Sequence, residues 1–263
     1  CIGCGKCVEV CPVDALSLND EEKAQVDEEK CISCGVCIST CPTDAIETKV
    51  TVQKGDKSQY SGVWVFGEVG DGELKEVVPQ LLGKGQELAS EFGEELSAAL
   101  IGSDLDDAGK QCGKYGARKV YKVEGEEFGQ YRTLPYSFAM SQLIREFKPR
   151  VILYGATHLG RDLAPSVAGR LGLGLTADCT GLSIEEKEGE KLLLQTRPAF
   201  GGNLIAEIIC PNTRPQMATV RPNVFSSPEE EEDAEPEVIE KDIEPDSELF
   251  KVEVLEELGG EEG

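Results

Sequence analysis

A chain of 263 residues holds one large or two modest domains at ~100–200 residues each. Its 50 acidic and 26 basic side chains leave a formal charge of −24. That excess argues against a nucleic-acid partner, which needs clustered cations to displace counterions, and against an anionic membrane surface. No run approaches the ~18 apolar residues of a membrane span, and the chain opens on Cys1 without a basic-then-apolar leader. A cytoplasmic protein without a membrane span is expected.

Charge and cysteine are both unevenly placed. Residues 1–59 carry 6 basic and 11 acidic side chains, 60–227 carry 18 and 22, and 228–263 carry 2 and 17. Eight of the 11 cysteines lie in the first 41 residues. An odd total fits poorly with a fully paired secreted disulfide framework.

Residues 1–16 (CIGCGKCVEVCPVDAL) and 31–46 (CISCGVCISTCPTDAI) match at nine of sixteen positions, an internal repeat of period 30. Each copy reads C-x-x-C-x-x-C-x-x-x-C-P. Three cysteines, each separated by two residues, let one loop wrap three irons of a cubane, and the fourth thiolate must arrive from elsewhere. In two-cluster proteins the fourth Cys of each run serves the other cluster. Cluster one is then expected on Cys1, Cys4, Cys7 and Cys41, and cluster two on Cys31, Cys34, Cys37 and Cys11. Gly5 and Gly35 permit left-handed turns that aim N–H groups at sulfur, and Pro12 and Pro42 redirect the chain after the fourth ligand. Paired zinc sites would favour two ligand pairs across a longer spacer. The acidic flank Asp20, Glu21, Glu22, Asp27, Glu28 and Glu29 disfavours adding an electron, so low-potential centres are expected.

This segment resembles the bacterial two-cluster ferredoxins over 1–49, and a small α+β domain is expected over 1–53. Ferredoxins of that family usually carry an edge strand before the first ligand, so the native chain is expected to extend beyond Cys1.

After a linker (54–62), strand and helix patterns alternate. Val63–Val69 reads as a strand and Leu74–Phe92 as a helix with Leu74, Val77, Val78, Leu81, Leu82 and Leu88 on one face. A strand at Leu96–Ile101, a helix over 104–115 and a strand at Lys119–Val123 follow. Pro135–Phe147 is helical, Val151–Tyr154 a buried strand and Arg161–Leu171 a helix. Such alternation predicts a Rossmann-like, mostly parallel sheet with helices on both faces over 63–227. After 175 the pattern turns β-rich (176–184, 191–197, 204–210 and 216–221), and some of these stretches suit antiparallel additions at its edge.

The turn GATHLGRDLAPS (155–166) leaves a strand and enters a helix, a place where phosphate meets free N–H groups. The three-glycine dinucleotide fingerprint, the Walker loop and the SGGxDS loop are all absent. His158, the sole histidine, suits a structural or interface role, and Cys112, Cys179 and Cys210 suit small buried hydrophobes. Arg197–Pro198, Arg214–Pro215 and Arg221–Pro222 place three guanidinium groups on stiff backbone, either as edge-strand and turn punctuation or as fixed cations facing an anionic cofactor or partner. Residues 228–263 read as a solvated acidic linker with scattered apolar residues.

GATHLGRDLAPSVAGRL (155–171), GLTADCTGL (174–182), RPAFGGN (197–203) and RPQMATVRPNVF (214–225) resemble the α subunit of electron-transfer flavoproteins, in the expected order from about Val63 to Phe225. The resemblance implies a heterodimer with a β subunit of similar fold, service to an acyl-CoA-type or other dehydrogenase, and an external ferredoxin or flavodoxin as a further partner. It places Arg197 nearest the isoalloxazine of the β subunit's FAD, with Thr176, Asp178 and Thr180 lining the same region. The GGRG-type FAD loop of the family's second domain does not occur in this sequence, so FAD is expected to be shared with or held by a partner subunit, the second domain being a separate polypeptide or a continuation of the chain. An electron carrier is expected, the alternative being a nucleotide-binding module or enzyme with a ferredoxin-type redox sensor.

Overall fold

A computed structural model describes residues 1–28, 30–31, 34–47, 56–202 and 204–255, the side chains of 200 and 248 excepted. Glu29 of the acidic flank, residues 48–55 at the expected domain boundary, Asn203 and Leu258 lie outside the described residues.

The N-terminal module is a near-duplicate. Helix α1 (Lys6–Glu9) starts after Gly5 at φ +72, and α2 (Val36–Thr40) starts after Gly35 at φ +76. Both glycines take the left-handed conformation that side chains disfavour. Between the helices, β1 (Leu16–Leu18) and β2 (Ala24–Val26) form an antiparallel hairpin.

The α/β domain begins with β3 (Val63–Gly67), followed by a small hairpin of β4 (Val69–Gly70) and β5 (Glu73–Leu74). Then come α3 (Val77–Phe92), β6 (Leu96–Gly102), α4 (Asp106–Lys114), β7 (Lys119–Glu124) and α5 (Thr133–Phe147). Next are β8 (Val151–Gly155), α6 (His158–Leu171), β9 (Leu175–Cys179), β10 (Gly181–Lys187), β11 (Glu190–Ala199), β12 (Leu204–Ile208), β13 (Gln216–Val220) and β14 (Glu237–Glu240). Leu74, expected on the first long helix, lies instead in β5 and packs on the core beside it.

Among the described residues the main sheet has seven strands in the order β14-β7-β6-β3-β8-β13-β9, and every neighbouring pair is parallel. Both faces are covered, which explains the continuous apolar runs of its inner strands. Along β3 alternate side chains serve opposite cores. Val63 and Val65 pack with α3 and α4, whereas Trp64 and Phe66 pack with α5 and α6. Trp64 stacks on Tyr121 with ring centroids 4.3 Å apart. Strands β10, β11 and β12 form a separate three-stranded antiparallel sheet, where additions to the main sheet's edge were expected. Leu182 and Leu193 tie it to the α3 core.

The acidic segment departs from the sequence expectation of a solvated linker. Pro228 lies against Gly83 and Pro236 against Gly113, where an added Cβ would come within 2.9 and 2.4 Å of the respective ring. Strand β14 then closes the sheet. Its Glu237 and Glu240 stand opposite Lys119 and Lys122 of β7, so the segment's own charge favours this edge. Ile239 and Ile243 pack on the α5–α6 core.

Lys122 anchors that edge. It is 6% exposed and meets Asp106, Glu124 and Glu240 at 2.7, 2.8 and 3.0 Å. Burial pulls its pKa down, but the three carboxylates outweigh burial and raise it above the ordinary lysine value. A raised folded-state pKa stabilises fully below the unfolded value of ~10.4 and less as pH rises through the folded one. Lys122→Met is therefore expected to cost about 1 kcal/mol at pH 7, the carboxylates being largely solvated. The wild-type urea midpoint should approach the variant's above pH 11.

Candidate functional site

Two regions gather the residues singled out by the sequence. In the N-terminal module a cavity is lined by Cys1, Cys4 and Cys7 of the first run and Cys41 of the second, with Ile2, Leu18, Pro42 and Ile46 closing it. The thiols stand around this space, and among the described residues no three His, Cys, Asp or Glu side chains are placed for a single metal ion. Backbone N–H groups are aimed at sulfur in matched fashion. Ala15 N–H donates to Cys11 Sγ and Ala45 N–H to Cys41 Sγ, each at 3.2 Å, and Ala24 N–H reaches Cys1 Sγ at 3.4 Å. The N–H groups of Thr43 and Ala45 hold the Cys41 thiol below its ordinary pKa, since they favour the thiolate. Close approach is built in at Gly3, where a Cβ would stand 2.6 Å from the Glu22 carbonyl oxygen.

The remaining four thiols also form a set. Burial, followed by the neighbouring Cys34, Cys31 and Cys11, pushes the Cys37 thiol up. A thiolate formed at Cys37 would meet the charge of any ionised neighbour, which bound iron would offset. In the first set, N–H donors to sulfur and a space between the four thiols suit an iron–sulfur cube.

The second region is the carboxyl end of β9 and β13. Opposite Thr219 the register shifts by one residue, and the bulge turns Asp178 to φ +59. Asp178 N–H donates to Thr219 Oγ1 at 2.9 Å. Its carboxylate accepts from Arg161 Nε at 3.0 Å, and Arg221 lies 3.9 Å away. Arg197, half-buried on β11, donates to the Pro198 carbonyl at 3.4 Å. Thr196, the residue before Arg197, pairs with Gly181, so Arg197 borders the strand end that carries Asp178; burial pushes the Cys179 thiol there up to about 12. Thr180 joins this rim through its N–H to the Thr196 carbonyl at 2.8 Å. Thr176 is 3% exposed inside the sheet and offers this rim no surface.

Of the three Arg–Pro cations, only Arg197 and Arg221 stay accessible. Arg214 is 2% exposed, ion-paired to Glu190, with N–H bonds to the Cys210 and Thr213 carbonyls. It fastens β11 to the loop before β13. Arg161 was missed as a rim residue, since only the fold brings α6 beside the β9 bulge.

Chain order changes direction between β3 and β8, the switch point where α/β sheets open a crevice. There Glu68, 5% exposed, stands 2.6 Å from Thr157 Oγ1. Thr157 caps α6 by accepting from Gly160 N–H at 3.0 Å. Burial raises the Glu68 pKa, with Thr157 and Lys75 pulling it back. His158 follows the cap and is exposed.

Seven parallel strands clothed by helices, joined to a doubled four-cysteine module, define a Rossmann-like α/β protein with a ferredoxin-type head. Residues 63–246 match the family model described as electron transfer flavoprotein domain, and residues 1–45 match the 4Fe-4S dicluster domain. The chain belongs to the electron transfer flavoprotein family and carries a 4Fe-4S dicluster domain ahead of it. It is 44% identical over 198 residues to the electron transfer flavoprotein subunit alpha of Thermoanaerobacterium thermosaccharolyticum, covering 75% of this chain and 59% of that protein. It is 38% identical over 257 residues to the lactate dehydrogenase (NAD(+),ferredoxin) subunit LctC of Acetobacterium woodii, covering 97% and 60%. The acryloyl-CoA reductase electron transfer subunit beta of Anaerotignum propionicum is 39% identical over 194 residues, covering 66% and 53%. The chain thus spans a half to three-fifths of the length of these relatives. Among the described residues no helix is long and apolar enough to cross a membrane.

Proposed function

We propose that this chain is a cytoplasmic electron-carrying subunit of an oxidoreductase complex and transforms no substrate itself. Cys1, Cys4, Cys7 and Cys41 hold one [4Fe–4S] cluster, and Cys31, Cys34, Cys37 and Cys11 hold the other. Once bound, the clusters exchange single electrons with the FAD of a partner β subunit that serves a dehydrogenase, with an external ferredoxin or flavodoxin as a further partner. The observation that carries this reading is one cavity whose wall joins three cysteines of the first run to the fourth of the second. The chain's own residues orient the thiols by N–H bonds to sulfur. They also present Arg197, Asp178 and Thr180, with Thr176 behind them, on the face given to the flavin.

The alternative, a nucleotide-binding module, is disfavoured by Glu68. Its carboxyl group occupies the crevice where a phosphate would have to approach the first turn of α6, and it already engages the Thr157 hydroxyl there.

Anaerobic purification of the full chain with a co-expressed β subunit tests the reading. About eight iron and eight sulfide per chain are expected, with flavin present only when the β subunit is. A colourless preparation containing zinc would end it. Arg197→Ala is expected to shift the flavin's redox titration in the assembled complex and leave iron unchanged. An unaltered flavin titration removes Arg197 from the site.

A further inference from the structure

The acidic segment does more than close the sheet edge. Beyond β14 it runs the length of α5, from that helix's C-terminal end to its N-terminal end. Lys241 pairs with Glu146 at 2.5 Å and sits over the Phe147 ring at 5.2 Å. Residues 241–244 then line a groove with Phe138, Gln142 and Arg145. Ile243 packs into the core beneath. Leu249 is 5% exposed, and Phe250 lies against the Arg132 guanidinium at 4.6 Å, at the start of α5. A 15-residue helix is ~22 Å long, a span that the nine residue steps from 241 to 250 cover when extended.

From this track two side chains reach the cysteine module. Asp246 pairs with Lys30 at 3.8 Å, beside Cys31. Lys251 pairs with Asp14, three residues after Cys11. Both contacts fall next to thiols of the second set.

We propose that residues 241–251 form a clamp that positions the two-cluster module on the α5–α6 face of the α/β domain, with Asp246 and Lys251 as its positioning residues. The apolar side chains Ile243, Leu249 and Phe250 fix the strap to the α/β domain. The two ion pairs, of opposite polarity, set the angle at which the module sits. Asp246 offers an anion to Lys30 and Lys251 a cation to Asp14, so a module rotated to exchange these contacts meets like charges. Both pairs are partly solvated, so the docking is sensitive to salt.

The test is hydrogen exchange on the full, anaerobically prepared chain carrying Lys251→Glu, Asp14→Lys or both, each with its iron content measured. Each single reversal is expected to speed exchange at residues 10–18 and 241–251 at least fivefold while the strands β3, β6 and β8 keep wild-type rates. The double reversal should return within about twofold of wild type. Raising salt to 1 M, where the Debye length is about 3 Å, should act on the wild type as Lys251→Glu does at low salt. Unchanged exchange in the single variants, or a double variant no better protected than either single, overturns the clamp. The clamp rests on the proposed electron-carrying role only for its consequence. A chain without iron would refute the cluster assignment, while the exchange pattern would still judge the clamp.

Discussion

In Cys41→Ser the iron content is expected to fall from about eight to about four atoms per chain, and the lost cluster belongs to the other repeat's triplet. Cys41 ends the second run but lines the cavity of Cys1, Cys4 and Cys7. Serine keeps the size and loses the soft thiolate, which iron–sulfur clusters require. Cys11→Ser should remove the complementary cluster, and Cys34→Ser should remove the same one as Cys11→Ser. Low-temperature electron paramagnetic resonance of the reduced variants reads this directly. Cys11→Ser and Cys34→Ser should leave one common spectrum, and Cys41→Ser the other. If Cys41→Ser and Cys34→Ser instead lost the same signal, each run would hold its own cluster and the crossed assignment would fall. In all three variants the α/β domain should keep its circular dichroism, because among the described residues its two cores contain none of the cysteine module.

Gly160→Ala is expected to destabilise the α/β domain by about 3 kcal/mol or more, at the upper end of overpacking costs. A Cβ at this position would stand 1.9 Å from the Gly155 carbonyl oxygen and 3.2 Å from Glu68 Oε1. Neither neighbour yields easily. Gly155 pairs with Val220 in the sheet, and the next residue, Ala156, donates to the Val220 carbonyl at 2.6 Å. Relief therefore requires lifting α6 off the end of β8, which also breaks the Thr157 cap. At ~2–4 °C per kcal/mol for a domain of this size, the melting temperature should fall by about 6–12 °C. Gly109→Ala in α4 supplies the opposite sign, since its added Cβ meets nothing closer than 3.9 Å. There a gain of ~0.4–1 kcal/mol is expected from reduced freedom of the unfolded chain. Equal melting temperatures for the two variants would mean that the β8–α6 turn is not packed as described.

How much of this was legible beforehand varies with the range of the interaction. The doubled cysteine run declares its chemistry locally. Ligand spacing, Gly5, Gly35 and the prolines lie within a few residues of one another, so the repeat alone nominates the proposed donors. The buried parallel strands are likewise visible, because a strand covered on both faces must be apolar throughout. Val63–Gly67 and Val151–Gly155 read that way.

Position against distant chain was not legible. Nothing in EVIE marks 237–240 as a strand until Lys119 and Lys122 of β7 stand opposite its glutamates. Arg214 looks like its neighbours Arg197 and Arg221 in sequence, yet it is buried against Glu190 because β11 folds back beside the loop that precedes β13. Glu68 gains its place only where β3 and β8 part at the switch point. Composition and local spacing thus determined which groups could bind iron and which segments must be buried. Which charges meet, which are hidden and which module an acidic strap holds were decided by tertiary structure alone. Coulomb and packing energies depend on distances between residues tens to hundreds of positions apart, and those distances exist only in the folded chain.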